Sequence, residues 1–292
     1  CVETGVPLGG YRQSDAQPRS RVAGNPELGP ETGETYTLGF AWSPDFLAGF
    51  SITADYWNID LKNAVATIAA SSVVNRCIIN GDPASCAAIQ RFDNGDIDFV
   101  STPTENIGGE SAHGFDVGLN YSQNSPWGLF DARFLVTYLA ERESTIFADT
   151  PDGVVPIRVD AAGRFEQRNG LPRGIYPHWK ANLNLDWSYG DWGASLNLDY
   201  IGGVDEFDLD TLDTLGPDDS IADAFIQHVD AELYVDLVAR YQFDWGTRLS
   251  MGINNLFNNQ PPFINGEFNA NTDTDTYRLL GRSWFAELRH NF

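Results

Sequence analysis

The chain closes on a run in which apolar and polar side chains alternate, and this run narrows the fold more than any other feature. From Leu280 onward, one set of alternate positions reads Leu280, Arg282, Trp284, Ala286, Leu288, His290 and Phe292. The other set reads Gly281, Ser283, Phe285, Glu287, Arg289 and Asn291. Successive side chains of a strand point to opposite faces. A period of two therefore describes a strand that is mostly apolar on one side and mostly polar on the other. Such a strand suits a sheet with lipid against one face and water against the other.

The same period recurs upstream. Trp179, Ala181, Leu183, Leu185, Trp187 and Tyr189 alternate with Lys180, Asn182, Asn184, Asp186 and Ser188. Beyond Gly190-Asp191 the pattern resumes as Trp192, Ala194, Leu196, Leu198 and Tyr200 against Gly193, Ser195, Asn197 and Asp199. Two period-2 runs joined by a two-residue Gly/Asp link predict a hairpin. Equivalent faces are Tyr36–Trp42 with Phe50–Tyr56, Phe115–Tyr121 with Phe130–Tyr138, and Leu233–Phe243 with Leu249–Ile253. The pattern predicts nine strands near 32–44, 49–63, 95–122, 128–145, 170–189, 191–205, 227–244, 247–260 and 275–292. Their connections alternate between short turns and long loops rich in Asp, Asn, Gly and Pro. An outer-membrane barrel has this asymmetry, with short turns on the periplasmic rim and long loops outside. Trp42, Tyr121, Trp127, Tyr189, Trp192, Tyr241, Phe243, Trp245 and Phe292 fall where strands meet short turns. Amphipathic rings favour the headgroup level, so these positions predict the periplasmic aromatic girdle. A soluble β-sandwich is the alternative, but it would want fewer Trp at its turns and shorter connections.

Composition agrees. There are 41 acidic and 18 basic residues, a formal net charge of -23. This charge would repel phosphate, so nucleic acid is not an expected partner. Mean hydropathy is -0.28, which a barrel permits because its strands show lipid only at every second residue. No run of about 18 apolar residues marks a transmembrane helix, and the stretch from Ala64 to Val74 is too short. Asn182, Asn184, Asp186, Asn197, Asp199, Asp236, Arg240, Glu287 and Arg289 share the polar faces. Facing lipid, an Arg or Lys near the midplane would cost about 2–4 kcal/mol, so these faces must line a wet lumen.

No signal peptide is visible, and Cys1 opens the chain as if cut from a longer one. Cys77 and Cys86 bracket a short segment, Ile-Ile-Asn-Gly-Asp-Pro-Ala-Ser. A bridge there implies an oxidising compartment and contributes about 2.5–3 kcal/mol on the chain-entropy view. Two unpaired buried thiols are the alternative. Cys1 is then the odd cysteine.

Several segments resemble the late barrel of TonB-dependent outer-membrane receptors. They are Glu31 to Phe40, Pro44 to Asn63, and Asn106 to Asp116. Gly252-Ile-Asn-Asn-Leu-Phe-Asn-Asn-Gln-Pro-Pro262, followed by Tyr277 to Gly281 and Phe292, carries the resemblance furthest. The resemblance covers nearly the whole chain in order. It implies an all-β, antiparallel transmembrane barrel of about 22 strands with a plugged lumen. Residues 1–292 would then be the C-terminal part of the barrel, holding its last nine strands, with plug domain and earlier strands lying elsewhere in the same chain or in a cleaved partner chain. The implied partners are outer-membrane lipid and lipopolysaccharide, the TonB complex acting through the plug, and the barrel-assembly machinery, which reads the terminal Phe292. The implied function is TonB-coupled uptake of a nutrient such as a carbohydrate or an iron chelate. A passive porin-like or adhesin-like barrel is the alternative.

The residues point to no enzyme and no cofactor. His113, His178, His228 and His290 lack metal-ligand spacing, and Cys77 and Cys86 lack His partners for zinc. No Gly-x-Ser-x-Gly elbow or phosphate-binding glycine loop is present. The acidic stretch Asp205 to Asp219 departs from the EF-hand pattern, so solvated loops are the simpler reading there and at Asn269 to Asp275. Phe147, Phe207, Phe225, Phe263 and Phe268 are candidate stacking positions for a ligand in the long loops, with loop packing as their simpler role. Rings beside carboxylates and amides suit neutral sugars better than anionic iron chelates.

Overall fold

A computed structural model of the chain describes residues 19–68, 70–150, 153–166, 174–206, 227–264 and 270–291. In chain order the first elements are β1 (Arg19–Ala23), β2 (Thr32–Trp42), β3 (Phe50–Thr67), α1 (Ala70–Asn80), α2 (Pro83–Ala87) and β4 (Ile89–Arg91). Next come β5 (Ile97–Ser125), β6 (Gly128–Thr150), β7 (Gly153–Asp160), β8 (Arg164–Glu166) and β9 (Gly174–Tyr176). The remainder are β10 (Trp179–Tyr189), β11 (Trp192–Ile201), β12 (Val204–Glu206), β13 (His228–Val229), β14 (Glu232–Gln242), β15 (Thr247–Asn254) and β16 (Ser283–His290).

The main sheet runs β16-β15-β14-β11-β10-β6-β5-β3-β2. Every neighbour along this path is antiparallel. It is an up-and-down meander whose spatial order follows chain order, and its nine strands coincide with the nine alternating segments. The sheet does not close: among the described residues β2 and β16 each pair on one side only.

Turn chemistry fixes the short connections. Gly190, at φ 57, and Asp191 join β10 to β11. Gly246, at φ 79, closes the β14–β15 turn, where its N–H donates to the Phe243 carbonyl. Between β2 and β3 the Leu47 N–H donates to the Pro44 carbonyl. Positive φ costs glycine nothing, which is why it recurs at these sites.

Three strands begin later than their patterns predict: β14 starts at Glu232 rather than near 227, because His228–Val229 pairs with β12 instead. β10 starts at Trp179 rather than near 170, because Gly174–Tyr176 pairs with β8 instead. β16 starts at Ser283 rather than near 275. Its lead-in segment is drawn off the sheet by Arg278, which ion-pairs with Asp236 and Asp199.

The long-loop side carries two small cores. In the first, Ile68, Val73, Cys77, Ile89 and Val100 are buried together. Val73 and Cys77, four apart, share one face of α1. Cys77 and Cys86 form a disulfide, with Cα atoms 4.7 Å apart. Asp82 caps α2 by accepting from the Ser85 N–H at 2.8 Å, and Pro83 occupies the first turn. This unit packs where β1 and β4 flank the extended upper part of β5. The second core joins Phe165, Ile175, Val204, Val229, Ile264 and Tyr277 beneath a four-stranded sheet, β13-β12-β8-β9. Each such side chain contributes about 1.5–3 kcal/mol on full burial.

Candidate functional site

Register assigns every side chain of the main sheet to a face. Asn182 stands opposite Asp199, Asn184 opposite Asn197, and Asp186 opposite Ser195. Asn197 in turn faces Asp236, and Gly193 faces Arg240. These residues form a continuous polar wall that bonds to itself. The Asn182 amide donates to Asn197 Oδ1 at 3.0 Å and to Asp199. Asp186 Oδ1 accepts from the Ser195 hydroxyl at 2.6 Å and from Arg240 Nη2 at 2.8 Å. Farther along, the Thr137 hydroxyl donates to Asp116 at 2.6 Å, and Arg133 donates to Asn120 at 3.3 Å.

The opposite face is apolar in every strand. A row of paired positions, Ala132, Leu185, Leu196, Leu237 and Ile253, crosses its middle. Large apolar side chains remain exposed here, Leu38 by 77% and Trp284 by 71%. A face this extensive requires a nonpolar surrounding.

Aromatic rows bound the apolar face. On the short-turn side Trp192 packs against Tyr241 at 4.7 Å, Tyr241 against Phe243 at 4.7 Å, and Phe243 against Trp245 at 5.3 Å. On the long-loop side Tyr56, Phe115, Tyr138 and Trp179 are paired across four strands. Tyr56 and Phe115 lie 5.2 Å apart, Tyr138 and Trp179 4.5 Å. Only the first row was legible in the sequence, because short turns mark it. The second sits partway along strands that continue past it, where no turn residue signals a boundary. In β10 the rows are separated by the strand's full length, Trp179 to Tyr189. Ten steps of about 3.3 Å, tilted by about 40°, span about 25 Å, the height of an outer-membrane apolar band.

Above the polar wall a groove of about 340 Å³ opens between Thr137, Lys180, Asn182, Asp199, Tyr234 and Arg278. Arg278 Nη1 reaches both oxygens of Asp236 at 2.9 and 3.0 Å, while Nη2 binds Asp199. Its guanidinium also stands 5.0 Å from the Tyr234 ring centroid. Behind the groove, burial raises the Tyr277 phenol far above its ordinary value. On the neighbouring rim sheet the exposed His228 is raised by its hydrogen bond to Asp205, 2.6 Å away. The site thus offers hydroxyls, an amide and charges of both signs, with Arg278 neutralised by two aspartates.

Of the candidate stacking residues, Phe263 does not line this groove. Phe263 is exposed by 62%, and its carbonyl accepts from the Gln227 amide at 2.6 Å. Phe147 lies in β6, with its side chain outside the description. Phe207, Phe225, Phe268 and Phe292, like Cys1, fall outside the described residues. Asp273 serves a turn, accepting from the Thr276 hydroxyl at 2.8 Å and the Asp275 N–H at 3.0 Å. Among the described residues no three metal-ligating side chains gather. Of the groove residues, Asn182 and Asp199 were legible in the sequence as polar-face positions, whereas Arg278 and Tyr234 were not. Arg278 and Tyr234 come from separate loops and strands, and only the quoted Tyr277-to-Gly281 motif hinted at one of them.

Comparison with known proteins follows the same lines. The family profile "TonB dependent receptor-like, beta-barrel" matches residues 4–256. No curated protein matches the chain. Among solved structures, the siderophore receptor PirA from Acinetobacter baumannii superposes with a TM-score of 0.59 at 16% identity, over 93% of this chain and 33% of its own. A mutant of the ferric enterobactin receptor PfeA from Pseudomonas aeruginosa, in complex with enterobactin, gives 0.55 at 17% identity, over 92% and 32%. The chain therefore spans about a third of the length of the solved structures it matches. At such identities the likeness shows the fold; the family profile shows membership. The chain belongs to the TonB-dependent receptor β-barrel family, transport receptors of the Gram-negative outer membrane.

Proposed function

We propose that residues 1–292 are the C-terminal part of the barrel of a TonB-coupled uptake receptor. One observation carries this reading: nine meandering strands, apolar on one face and polar on the other, end, among the described residues, on two unpaired edges. Long open edges invite aggregation, and further strands of the same receptor would close them into a barrel of about 22. The apolar face then meets lipid and lipopolysaccharide. The polar wall meets the lumen and its plug, through which TonB acts. Phe292 is the assembly signal.

For substrate we favour a neutral, polyhydroxylated molecule such as an oligosaccharide. The groove beside Lys180 presents hydroxyl, amide and carboxylate partners, and the paired aspartates cancel the charge of Arg278. An anionic chelate would find the Arg278 charge cancelled, with Lys180 left to attract it, and would cross loops of a strongly acidic chain. Phe263 and the other loop aromatics would supply stacking surfaces. A ferric siderophore is the second reading, favoured by the solved neighbours, whose names describe siderophore and ferric enterobactin receptors.

The test is uptake by cells carrying the full-length receptor, with and without TonB. Maltooligosaccharides and ferric siderophores serve as probes. Saturable sugar uptake that disappears without TonB is expected. Uptake of ferric siderophores alone would establish the second reading. TonB-independent passage would leave a passive porin.

A further inference from the structure

Alternation fixes the register of a strand pair only to within two residues. A slip of one residue turns every side chain to the wrong face and is excluded. A slip of two keeps all of them on their own faces. Where a two-residue turn joins the partners, as at Gly190-Asp191, the turn makes the choice. β15 and β16 have no such help, because the whole segment 255–282 lies between them. In the native register Leu249, Met251 and Ile253 oppose Leu288, Ala286 and Trp284. Shifting by two would exchange these apolar partners and leave the alternation intact, at the cost of parting Phe285 from Gly252, whose missing Cβ makes room for that ring, and His290 from Thr247.

The base of that segment is bound across itself. The Asn255 N–H donates to Asp236 Oδ1 at 2.8 Å, and its buried amide holds both the N–H and the carbonyl of Asn259. The same amide reaches the Leu280 carbonyl at 3.4 Å. Asn258 Oδ1 accepts from the Arg282 N–H at 2.9 Å, one residue before β16 begins. A Cβ on Gly281 would stand 2.6 Å from that Asn258 oxygen, so only glycine permits the approach. Arg278 adds the third tie by gripping Asp236 on β14 and Asp199 on β11 together.

We propose that Arg278, Asn255 and Asn258 form a register clasp, which selects the native pairing of β15 with β16 over pairings displaced by two residues. A two-residue slip moves a strand by about 7 Å, far beyond hydrogen-bond reach. It would part Arg282 from Asn258 and Leu280 from Asn255. Arg278 extends the control, because β11 and β14 are likewise joined by a long segment. Asp199 and Asp236 are diagonal neighbours across that junction, and one planar guanidinium spans them in the native register, a bridge that a slip drawing them two residues farther apart would break. Lysine, a compact charge on a flexible stem, lacks the rigid fork that fixes the two carboxylates relative to each other. The clasp thus acts with the Gly252–Phe285 fit and the Thr247–His290 bond to place β16, whose register apolar alternation alone leaves ambiguous.

Cysteine cross-linking in outer membranes, on the full-length protein carrying Cys1→Ser, reads the register directly. Met251→Cys with Ala286→Cys reports the native pairing; Met251→Cys with Leu288→Cys or Trp284→Cys reports the slipped ones. The parent is expected to cross-link chiefly through the native pair. In Arg278→Met the ratio of native to slipped cross-link falls about tenfold or more and a slipped pair appears, the shift that losing one net charged hydrogen bond produces. Arg278→Lys lies between. Asn258→Ala removes a different tie and shifts yields the same way, so it carries the test if Arg278→Met fails to assemble. Native cross-linking at the parental yield in the variants that assemble, with no slipped product, overturns the proposal.

Discussion

At Asp82 a single carboxylate starts a helix and steadies a disulfide-closed segment. Its bond to the Ser85 N–H and hydroxyl holds its pKa below the ordinary 3.8. A depressed carboxyl stabilises only while ionised. Its contribution is therefore complete above the ordinary carboxylate range and fades as pH falls through the lowered value. Asp82→Ala is expected to cost about 1 kcal/mol of local stability, seen as faster amide exchange at residues 85–88 at neutral pH. At pH 2 the difference from the parent should shrink. Replacing Cys77 and Cys86 by Ser should cost more, about 2.5–3 kcal/mol on the chain-entropy view. The effect should stay local. Proteolysis of 70–91 in intact cells should accelerate, while heat-resistance of the folded barrel stays near the parental value, because this unit sits beyond the paired aromatic rows.

Turns and strands were legible for the same reason that makes them mutable: each rests on a few residues with one geometric option. Gly128 opens β6 at φ 113, and a Cβ there would lie 2.2 Å from the Ser188 carbonyl oxygen on β10. Gly128→Ala should therefore destabilise the β5–β6 hairpin by at least about 1 kcal/mol. Lowered thermal resistance and a smaller folded fraction on unheated gels would register it. The alternating runs gave away all nine strands of the meander, though not β1, β4 and β7 that flank β5 and β6 in the same sheet, since burial has no part in the signal and lipid supplies the second solvent. What stayed hidden depends on contacts distant in sequence. α1 and α2 arise from a short, mixed run near Cys77 that has neither the length nor the charge pattern of a solitary helix. β8, β9, β12 and β13 are two or three residues long, and only the shared core of Phe165, Val204 and Tyr277 makes them strands. The groove is similarly composite, with Lys180 from β10, Tyr234 from β14 and Arg278 from the last long segment.

Across the whole molecule, the sheet's two faces should answer the same substitution in opposite ways. Leu237 sits in the middle of the apolar row, between Leu196 and Ile253. Asn184 is one step from that row in β10, on the polar wall opposite Asn197 and Arg133. Lysine at position 237 would carry its charge into hydrocarbon near the midplane, at a cost of about 2–4 kcal/mol. Lysine at position 184 would enter a hydrated wall beside Asp186 and cost little, within about 0.5 kcal/mol. Depth sharpens the contrast. Leu233, nearer the long-loop rim on the same face as Leu237, should accept lysine at about 0–1 kcal/mol, because the side chain can lift its ammonium to the headgroups. Denaturant titration of the purified receptor in lipid bilayers would measure all three. A soluble sandwich would tolerate Leu237→Lys no better than Leu233→Lys wherever both were buried alike. A steep loss at 237, a shallow one at 233 and almost none at 184 would instead trace the bilayer's polarity profile along the chain.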